Sequence, residues 1–554
     1  MSMRIIVVIF LFLLSCKENQ DPEVELVISQ DSMEVPSSAT LQNFYVKASQ
    51  PFEVISEVDW ILVDGGSRAQ GTVKIDAEIK DNVNNSDRIG KVIVKSGPKQ
   101  ISITFHQSGA PKFNLETKAI WAKAQGGEFE VKMEVSAPVT YKDLPTWIKV
   151  EGQKWFIVEN PGIYSREAKV KVIMGYVEEI LDVKQDGLPR NVPESQIGVE
   201  KDAMSLSKEI KVGWNLGNSL EACSDPLTAS ETLWGNPATR KELIDLVKKS
   251  GFNAIRIPCA WSGYIEDRTT HRIKTEWLLR VREVVDYCIE NQMYVILNIH
   301  WDGGWLENHP YYVKQEEVNQ KQRALWEQIA VAFREYDEHL LFAGTNEVHA
   351  DYNRPSKEHI EVQMSYNQTF VDAVRATGGK NAWRNLVVQG YNTNIDYTVE
   401  SLALPKDTKE NRLFVEVHYY DPYDFSLDNS ATSKYLWGSE FQGKSGVSTW
   451  GQEEYLDAKF KMMYERFVGK GIPVVLGEYA ATYRSTLPEP ALSEHNKSRN
   501  SYVKAVTASA KKYGMIPFYW DNGGLGNNSS GIFDRSSYQV VHKEILMSIM
   551  QGAE

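Results

Sequence analysis

The sequence predicts an α/β fold: a (β/α)8 TIM barrel over residues 196–554, preceded by two small all-β immunoglobulin-like sandwich domains at 24–108 and 110–187. Three observations carry this. After residue 196, short and nearly continuous apolar runs alternate with longer amphipathic stretches, the pattern of buried parallel strands and their covering helices. Before residue 187, short runs of period-two alternation are separated by polar turns, as in antiparallel sandwiches. That leading part is also written twice. Trp60-Ile-Leu-Val answers to Trp147-Ile-Lys-Val, Arg88-Ile-Gly-Lys-Val-Ile-Val to Arg166-Glu-Ala-Lys-Val-Lys-Val, and Gln107-Ser-Gly to Gln185-Asp-Gly. Nineteen residues separate Arg from Gln in both copies (88 to 107, 166 to 185), so the segment divides into two tandem domains.

The chain begins with a targeting segment. Arg4 supplies the positive end, and Ile5 to Leu14 are all apolar, too short a run to cross a bilayer but suited to a signal-peptide core. The run ends Leu13-Leu14-Ser15-Cys16, which resembles a bacterial lipobox, so residues 1–16 are expected to be a lipoprotein signal peptide with Cys16 the lipidated residue. A plain signal peptide with an incidental cysteine is the alternative. The lipobox reading implies a lipid-anchored protein of the cell envelope, with surface exposure on the outer membrane the expected location; Lys17-Glu-Asn-Gln-Asp offers a weak acidic export signal. The other cysteines, Cys223, Cys259 and Cys288, are too widely spaced for a disulfide framework or a metal site. A formal charge of −13 argues against nucleic acid and suits a neutral ligand. No metal or cofactor is expected, and the chain is expected to be a monomer.

In the two β domains, a Trp followed by β residues, an Arg opening a Val-rich strand and a closing Gln-x-Gly resemble the BACON domains attached to bacterial polysaccharide-degrading enzymes. The resemblance implies either carbohydrate binding or a spacer holding the rest of the chain off the membrane. Trp60 and Trp147 fit a core-facing position as naturally as an exposed one, and the spacer is preferred. Residues 188–195, Leu-Pro-Arg-Asn-Val-Pro-Glu-Ser, read as a linker.

In the barrel, candidate strands are 210–216, 254–257, 294–299, 340–344, 386–389, 413–417, 474–477 and 517–520. Helical stretches are expected at 239–250, 276–291, 320–336, 358–376, 454–468 and 496–513. Chemistry in this fold gathers where strands end. The strand ends carry Trp214, Asn215 and Asn218; Arg256 and then Trp261; His300 and Trp301; Asn346 and Glu347; Tyr391 and Asn392; His418 and Tyr420; Glu478; and Trp520, Asp521 and Asn522. Eight polar or aromatic tips in succession are not a folding requirement. Two of them, Glu347 and Glu478, each follow a glycine closely at the end of an apolar run, and suggest the paired-carboxylate arrangement that cleaves glycosidic bonds, with two ordinary solvent-facing carboxylates as the alternative.

Trp214-Asn-Leu-Gly-Asn-Ser-Leu-Glu, Ile255-Arg-Ile-Pro, Asn298-Ile-His-Trp, Thr345-Asn-Glu, Val417-His-Tyr-Tyr-Asp-Pro, Gly477-Glu-Tyr and Tyr519-Trp-Asp-Asn-Gly-Gly resemble, in this order, glycoside hydrolase family 5. The forms at 217–221 and 418–422 are most similar to its subfamily 4. The resemblance implies that Glu347 is the acid/base and Glu478 the nucleophile of a retaining reaction. Glu478 should stay ionised through nearby donors, and Glu347 should hold a proton beside a negative neighbour. Arg256 and Tyr420 match residues near the nucleophile, though a structural salt bridge is a rival for Arg256. Asn346 matches the contact to the sugar 2-hydroxyl, His300 and His418 other polar positions of the sugar subsite, and Trp520 its aromatic floor. Asn218, Trp301 and Asn392 are further substrate-binding candidates. Many relatives carry a second histidine where this chain has Trp301, so that residue's contacts are not carried over. Trp234, Trp261, Trp301, Trp305, Tyr311, Tyr312 and Trp437 either stack on sugars or pack the core.

The partner implied is a polysaccharide, with endo action on β-1,4-glucans; xyloglucan and mixed-linkage glucan come first, cellulose-type chains and xylan next, mannan last. Two rivals stand beside this: a glycan-binding protein built on an inactive barrel, and an exo-acting glycosidase with a pocket instead of a cleft.

Overall fold

The computed structural model describes residues 24–175 and 177–554. The lipidation candidate Cys16 therefore lies outside the described residues. The chain divides into two compact units: one drawn from the residues before 185, the other running from Gln185 to Glu554 together with Lys123–Gly126 and Glu159–Arg166.

The first unit contains two separate hydrophobic cores. One is packed between two four-stranded sheets and built from Phe44, Val46, Phe52, Ile75, Val92 and Phe105 among others. The other gathers Leu115, Trp155, Val170, Val172, Leu181 and Val183. Strands Thr40–Ala48, Arg88–Ser96 and Lys99–Gln107 alternate buried and exposed residues at their buried ends, so one face of each sheet fills the core. The repeated Arg and Gln have a structural use. Arg88 Nε donates to Gln107 Oε1 at 2.8 Å, and Arg166 Nε donates to Gln185 Oε1 at 2.8 Å. Each clasp ties the first and last residues of a hairpin. Trp60 is buried under the Arg88 guanidinium, 4.4 Å from its centre, whereas Trp121 stands 79 % exposed on strand Ala119–Ala122.

The second unit is a closed barrel of eight parallel strands: β1 (Gly213–Leu216), β2 (Ala254–Ile257), β3 (Tyr294–Asn298), β4 (Leu340–Ala343), β5 (Leu386–Gln389), β6 (Leu413–His418), β7 (Val474–Tyr479) and β8 (Met515–Asp521). β8 pairs with β1, Gly213 opposite Phe518, and closes the ring. Helices α1 (Lys241–Lys249), α2 (Thr275–Glu290), α3 (Tyr312–Ala332), α4 (Lys357–Ala376), α5 (Ile395–Ser401), α6 (Glu453–Arg466), α7 (Ala491–Lys512) and α8 (Lys543–Ala553) follow the strands in turn. Sequence periodicity passes over α5, too short to show a repeat, as well as α8 and the polar first turns of α3.

Alternation along the strands sorts residues between two cores. Val295, Leu297, Leu340, Phe342, Leu386, Val388, Val415 and Val417 pack outward under the helices. Ile296, Leu341, Ala343, Val387, Phe414, Val475, Ile516 and Phe518 point inward and fill the barrel's lower interior. Above that apolar layer the inward positions turn polar: Asn215, Arg256, Gln389 and Glu416, all fully buried. This polar layer is the base on which the site is built.

β7 breaks the alternation. Val417 of β6 faces Leu476, but His418 faces Glu478, so Gly477 is passed over as a bulge. By strict alternation Glu478 would point outward with Val474 and Leu476; the bulge turns it to the side of His418. Glycine is needed there, because a Cβ on Gly477 would lie 2.1 Å from Glu416 Oε1.

Candidate active site

Arg256, on the inner face of β2, organises the site's floor. Its Nη1 donates to Glu478 Oε1 at 2.8 Å and to Asn215 Oδ1 at 3.0 Å, and its Nη2 donates to Asn346 Oδ1 at 2.8 Å. Its Nε lies 2.8 Å from Glu416 Oε1, a fully buried ion pair. Gln389 donates to the other Glu416 oxygen at 2.6 Å. Glu478 receives a further bond from the Tyr420 hydroxyl at 2.9 Å. The salt-bridge rival for Arg256 and its contact with the nucleophile candidate are thus both present in one guanidinium.

His418 stands between carboxylates. Its Nδ1 is 2.5 Å from Glu347 Oε1 and 3.7 Å from Glu478 Oε2, and its Nε2 is 3.3 Å from Glu416 Oε1. Ligand atoms of Glu347, His418 and Glu478 all lie within 4.8 Å of one another. Burial opposes charge on His418, but Glu478, Glu347 and Glu416 outweigh it and lift the imidazole to about 10. Glu416, despite burial, is pulled down to about 2 by the Arg256 charge and by His418.

The glutamate pair departs from expectation. Burial works against ionisation of Glu347, yet the His418 hydrogen bond and the His418 and Arg256 charges hold its carboxyl below the usual range. Burial, aided by the Glu347 charge, lifts Glu478 above the usual range against the pull of His418, Arg256 and Tyr420. The two shifts thus run opposite in direction to those expected for an acid/base Glu347 and a nucleophile Glu478. His418, expected only as a sugar contact, is the cation responsible, and the two carboxylates titrate together.

Above these groups lies a cleft of about 860 Å3, lined by Glu347, Glu478, His418, Tyr420, Trp520 and Asn392 and continuing past Asn394 and Asp396 to Lys459. Tyr352 and Tyr423 stand at its edge, 79 % and 58 % exposed. His300 stacks parallel to Trp520, ring centres 5.7 Å apart. Burial holds His300 neutral, well below its ordinary value.

The structure thus gathers nine of the predicted residues: Glu347, Glu478, Arg256, His300, Asn346, His418, Tyr420, Trp520 and Asn392. For Asn218 and Trp301 the structure records main-chain hydrogen bonds at the exits of β1 and β3. The Asn218 main chain, at φ 58°, donates its N–H to Glu221 and accepts from Asn236. Trp301 is half-buried at the exit of β3, its carbonyl accepting from Gly304. Trp261 and Trp437 are fully buried, their indoles donating to Asn298 and Gly451 carbonyls, and so pack the core. Sequence reasoning missed Glu416, Glu307, Gln389, Tyr352 and Tyr423. Glu416 had a signal, a lone charge inside Leu413-Phe-Val-Glu-Val-His, where burial demands a partner.

A barrel whose strand ends bring two carboxylates together over a cleft, one of them gripped by a guanidinium and a phenol, is built for cleaving glycosidic bonds. Comparison with known proteins specifies the class. The cellulase family (glycosyl hydrolase family 5) matches residues 218–526. A xyloglucan-specific endo-β-1,4-glucanase of Bacteroides ovatus is 37 % identical over 464 residues, 81 % of this chain and 88 % of that protein. Endoglucanase A of Paenibacillus barcinonensis is 40 % identical over 371 residues, 64 % of this chain and 90 % of that protein. Among solved structures, the Bacteroides ovatus family 5 xyloglucanase in complex with a heptasaccharide superposes with a TM-score of 0.64 at 30 % identity, covering 96 % of this chain and all (100 %) of that one. The chain belongs to glycoside hydrolase family 5, and it is an endo-glucanase of that family.

Proposed function

We propose that the chain is a retaining endo-β-1,4-glucanase with xyloglucan as its preferred polymer, Glu478 acting as nucleophile and Glu347 as acid/base. The observation that carries this is the close approach of the Glu347 and Glu478 oxygens, within 4.8 Å, across one cleft. Retaining glycosidases hold their carboxyl groups about 5–5.5 Å apart, whereas inverting ones leave room for a water at about 6.5–9.5 Å. In the first step a Glu478 oxygen, oriented by Arg256 and Tyr420, bonds to the anomeric carbon while Glu347 protonates the departing glycosidic oxygen. The proton comes from the His418–Glu347 pair: His418 holds it 2.5 Å from Glu347, and transfer across that bond leaves a neutral acid. Water then enters, gives a proton back to Glu347 and releases Glu478. Asn346 gives one N–H to Glu307 and keeps its second for the sugar 2-hydroxyl. Trp520 floors the subsite.

Xyloglucan is favoured because relatives aligned along most of this chain or most of its barrel bear that specificity, from Bacteroides ovatus and Paenibacillus pabuli. Broad-specificity endoglucanases of Bacteroides salanitronis and others align equally along the barrel, which supports mixed-linkage glucan and cellulose-type chains as secondary substrates. The cleft's exposed Tyr352 and Tyr423 offer stacking faces to a polymer running through it. For the N-terminal part we propose a monomeric, lipid-anchored enzyme of the cell envelope, with Cys16 the anchor, surface display on the outer membrane and two BACON-like spacers. The burial of Trp60 under Arg88 removes that ring from glycan binding and supports the spacer.

The test is reducing-sugar release from xyloglucan, barley β-glucan, carboxymethylcellulose, xylan and glucomannan by the parent chain and by Glu478→Ala and Glu347→Ala. Release from xyloglucan by the parent, none by Glu478→Ala, and retained turnover of a dinitrophenyl glycoside's first step by Glu347→Ala support all three roles. Binding without release by the parent would make the barrel a receptor.

A further inference from the structure

Glu307 lies between β3 and α3, almost wholly buried, in a loop that runs to the exit of β4. One of its oxygens, Oε2, accepts two hydrogen bonds at 3.0 Å, from the Asn346 amide and from the backbone N–H of Glu347. Its own carbonyl accepts from the His349 N–H at 2.9 Å. One residue thus grips three successive points of the segment that carries the acid/base. The loop is itself anchored: the Trp305 indole donates to Asp302 at 2.6 Å, and Asp302 also accepts from the Trp261 and Ser262 N–H groups.

We propose that Glu307 is a positioning residue of this reaction, fixing the Asn346 amide and the Glu347 main chain and setting a second carboxylate behind the acid/base group. The proposal rests on the roles given to Glu347 and Glu478 above. Two effects follow. The hydrogen bonds fix which face of the Asn346 amide meets the sugar: with Oδ1 held by Arg256 and one N–H by Glu307, only the remaining N–H is left for substrate. The charge acts on the proton. The groups facing Glu347 are His418 from β6, Arg256 from β2, Glu478 from β7, His349 and Tyr352 from its own loop, and Glu307. His418 and Arg256 draw the proton away from Glu347; Glu478 and Glu307 oppose that. Burial, and then the Glu347 charge, push Glu307 up to about 7. Glu307 therefore gains its charge as the medium passes neutrality, and from behind Glu347 that charge opposes release of the proton shared by Glu347 and His418.

The experiment compares the parent, E307Q and E307A on xyloglucan across pH, and on a dinitrophenyl cellobioside, whose leaving group needs no protonation. The glutamine keeps an oxygen for both hydrogen bonds and removes the charge. Its expected signature is an unchanged acid limb and an alkaline limb moved to lower pH by about one unit. E307A frees the segment and is expected to lose kcat on xyloglucan by about 100-fold, with KM little changed and the first step on the aryl glycoside preserved. An alkaline limb in E307Q identical to the parent's would overturn the electrostatic half. Equal losses by E307A on both substrates would overturn the positioning half, because general damage does not distinguish leaving groups. Should E307A not fold, the near-isosteric E307Q still decides, and the parent's own turnover tests the glycosidase reading separately.

Discussion

Arg256 holds the site together through four elements at once: β7 by Glu478, β6 by Glu416, β1 by Asn215 and the β4 exit by Asn346. A buried guanidinium with two carboxylates is stable only while the set is complete, so Arg256→Met should cost about 3–5 kcal/mol and abolish turnover. Thermal unfolding beside an activity assay checks this; Arg256→Lys should rescue neither, since an ammonium cannot serve four separated acceptors arranged around a planar fork. His418 and Glu416 give the fold a pH window. The folded value of His418 is raised from 6.5 to about 10, so its contribution to stability is complete below 6.5 and is lost as pH rises toward 10. That of Glu416 is lowered from 4.5 to about 2, so its contribution is present above 4.5 and lost as pH falls toward 2. His418→Gln should accordingly flatten the decline in melting temperature between pH 6.5 and 10. An unaltered decline would mean that other groups set it.

At the scale of elements, the β7 bulge decides the site. Gly477 lets Glu416 lie against the strand and turns Glu478 toward His418. A methyl group there would push Glu416 off Arg256. Gly477→Ala should destabilise by about 1–3 kcal/mol, as overpacking does, and reduce kcat well beyond that loss of fold. Gly526→Ala is the control: a Cβ there meets nothing within 4 Å, and a change within about 0.5 kcal/mol is expected. Denaturant melts of both variants supply the comparison. The tips of β2, β4, β6 and β7 were legible as tips, because a polar residue ending an apolar run has no packing use. The direction of Glu478 was not. A bulge is a mismatch between two strands distant in sequence, here residues 417–418 against 476–478, and neither strand alone records it.

At the scale of the molecule, the Paenibacillus barcinonensis endoglucanase matches 371 residues of this chain, 64 % of it, while that match covers 90 % of its own length. The fragment 188–554 should therefore fold alone and keep the parent's kcat/KM on soluble xyloglucan. A large loss would assign the β domains a part in catalysis. What the sequence by itself determined is the order of strands and helices, the double writing of the β domains and the two glutamates, because periodicity, repetition and strand ends are local facts. It also placed Arg256, Asn346 and Trp520 at strand ends by the same local rule. Only the tertiary structure decided that His418 would lie against Glu347 and that Glu416 and Glu307 would join the site. The physical reason is that buried charge is governed by what surrounds it. The carboxylates of Glu347, Glu416 and Glu478 divide two cations among them, Glu307 sits behind Glu347 on neutral donors, and their protonation follows from distances of about 3 Å between segments up to 222 residues apart.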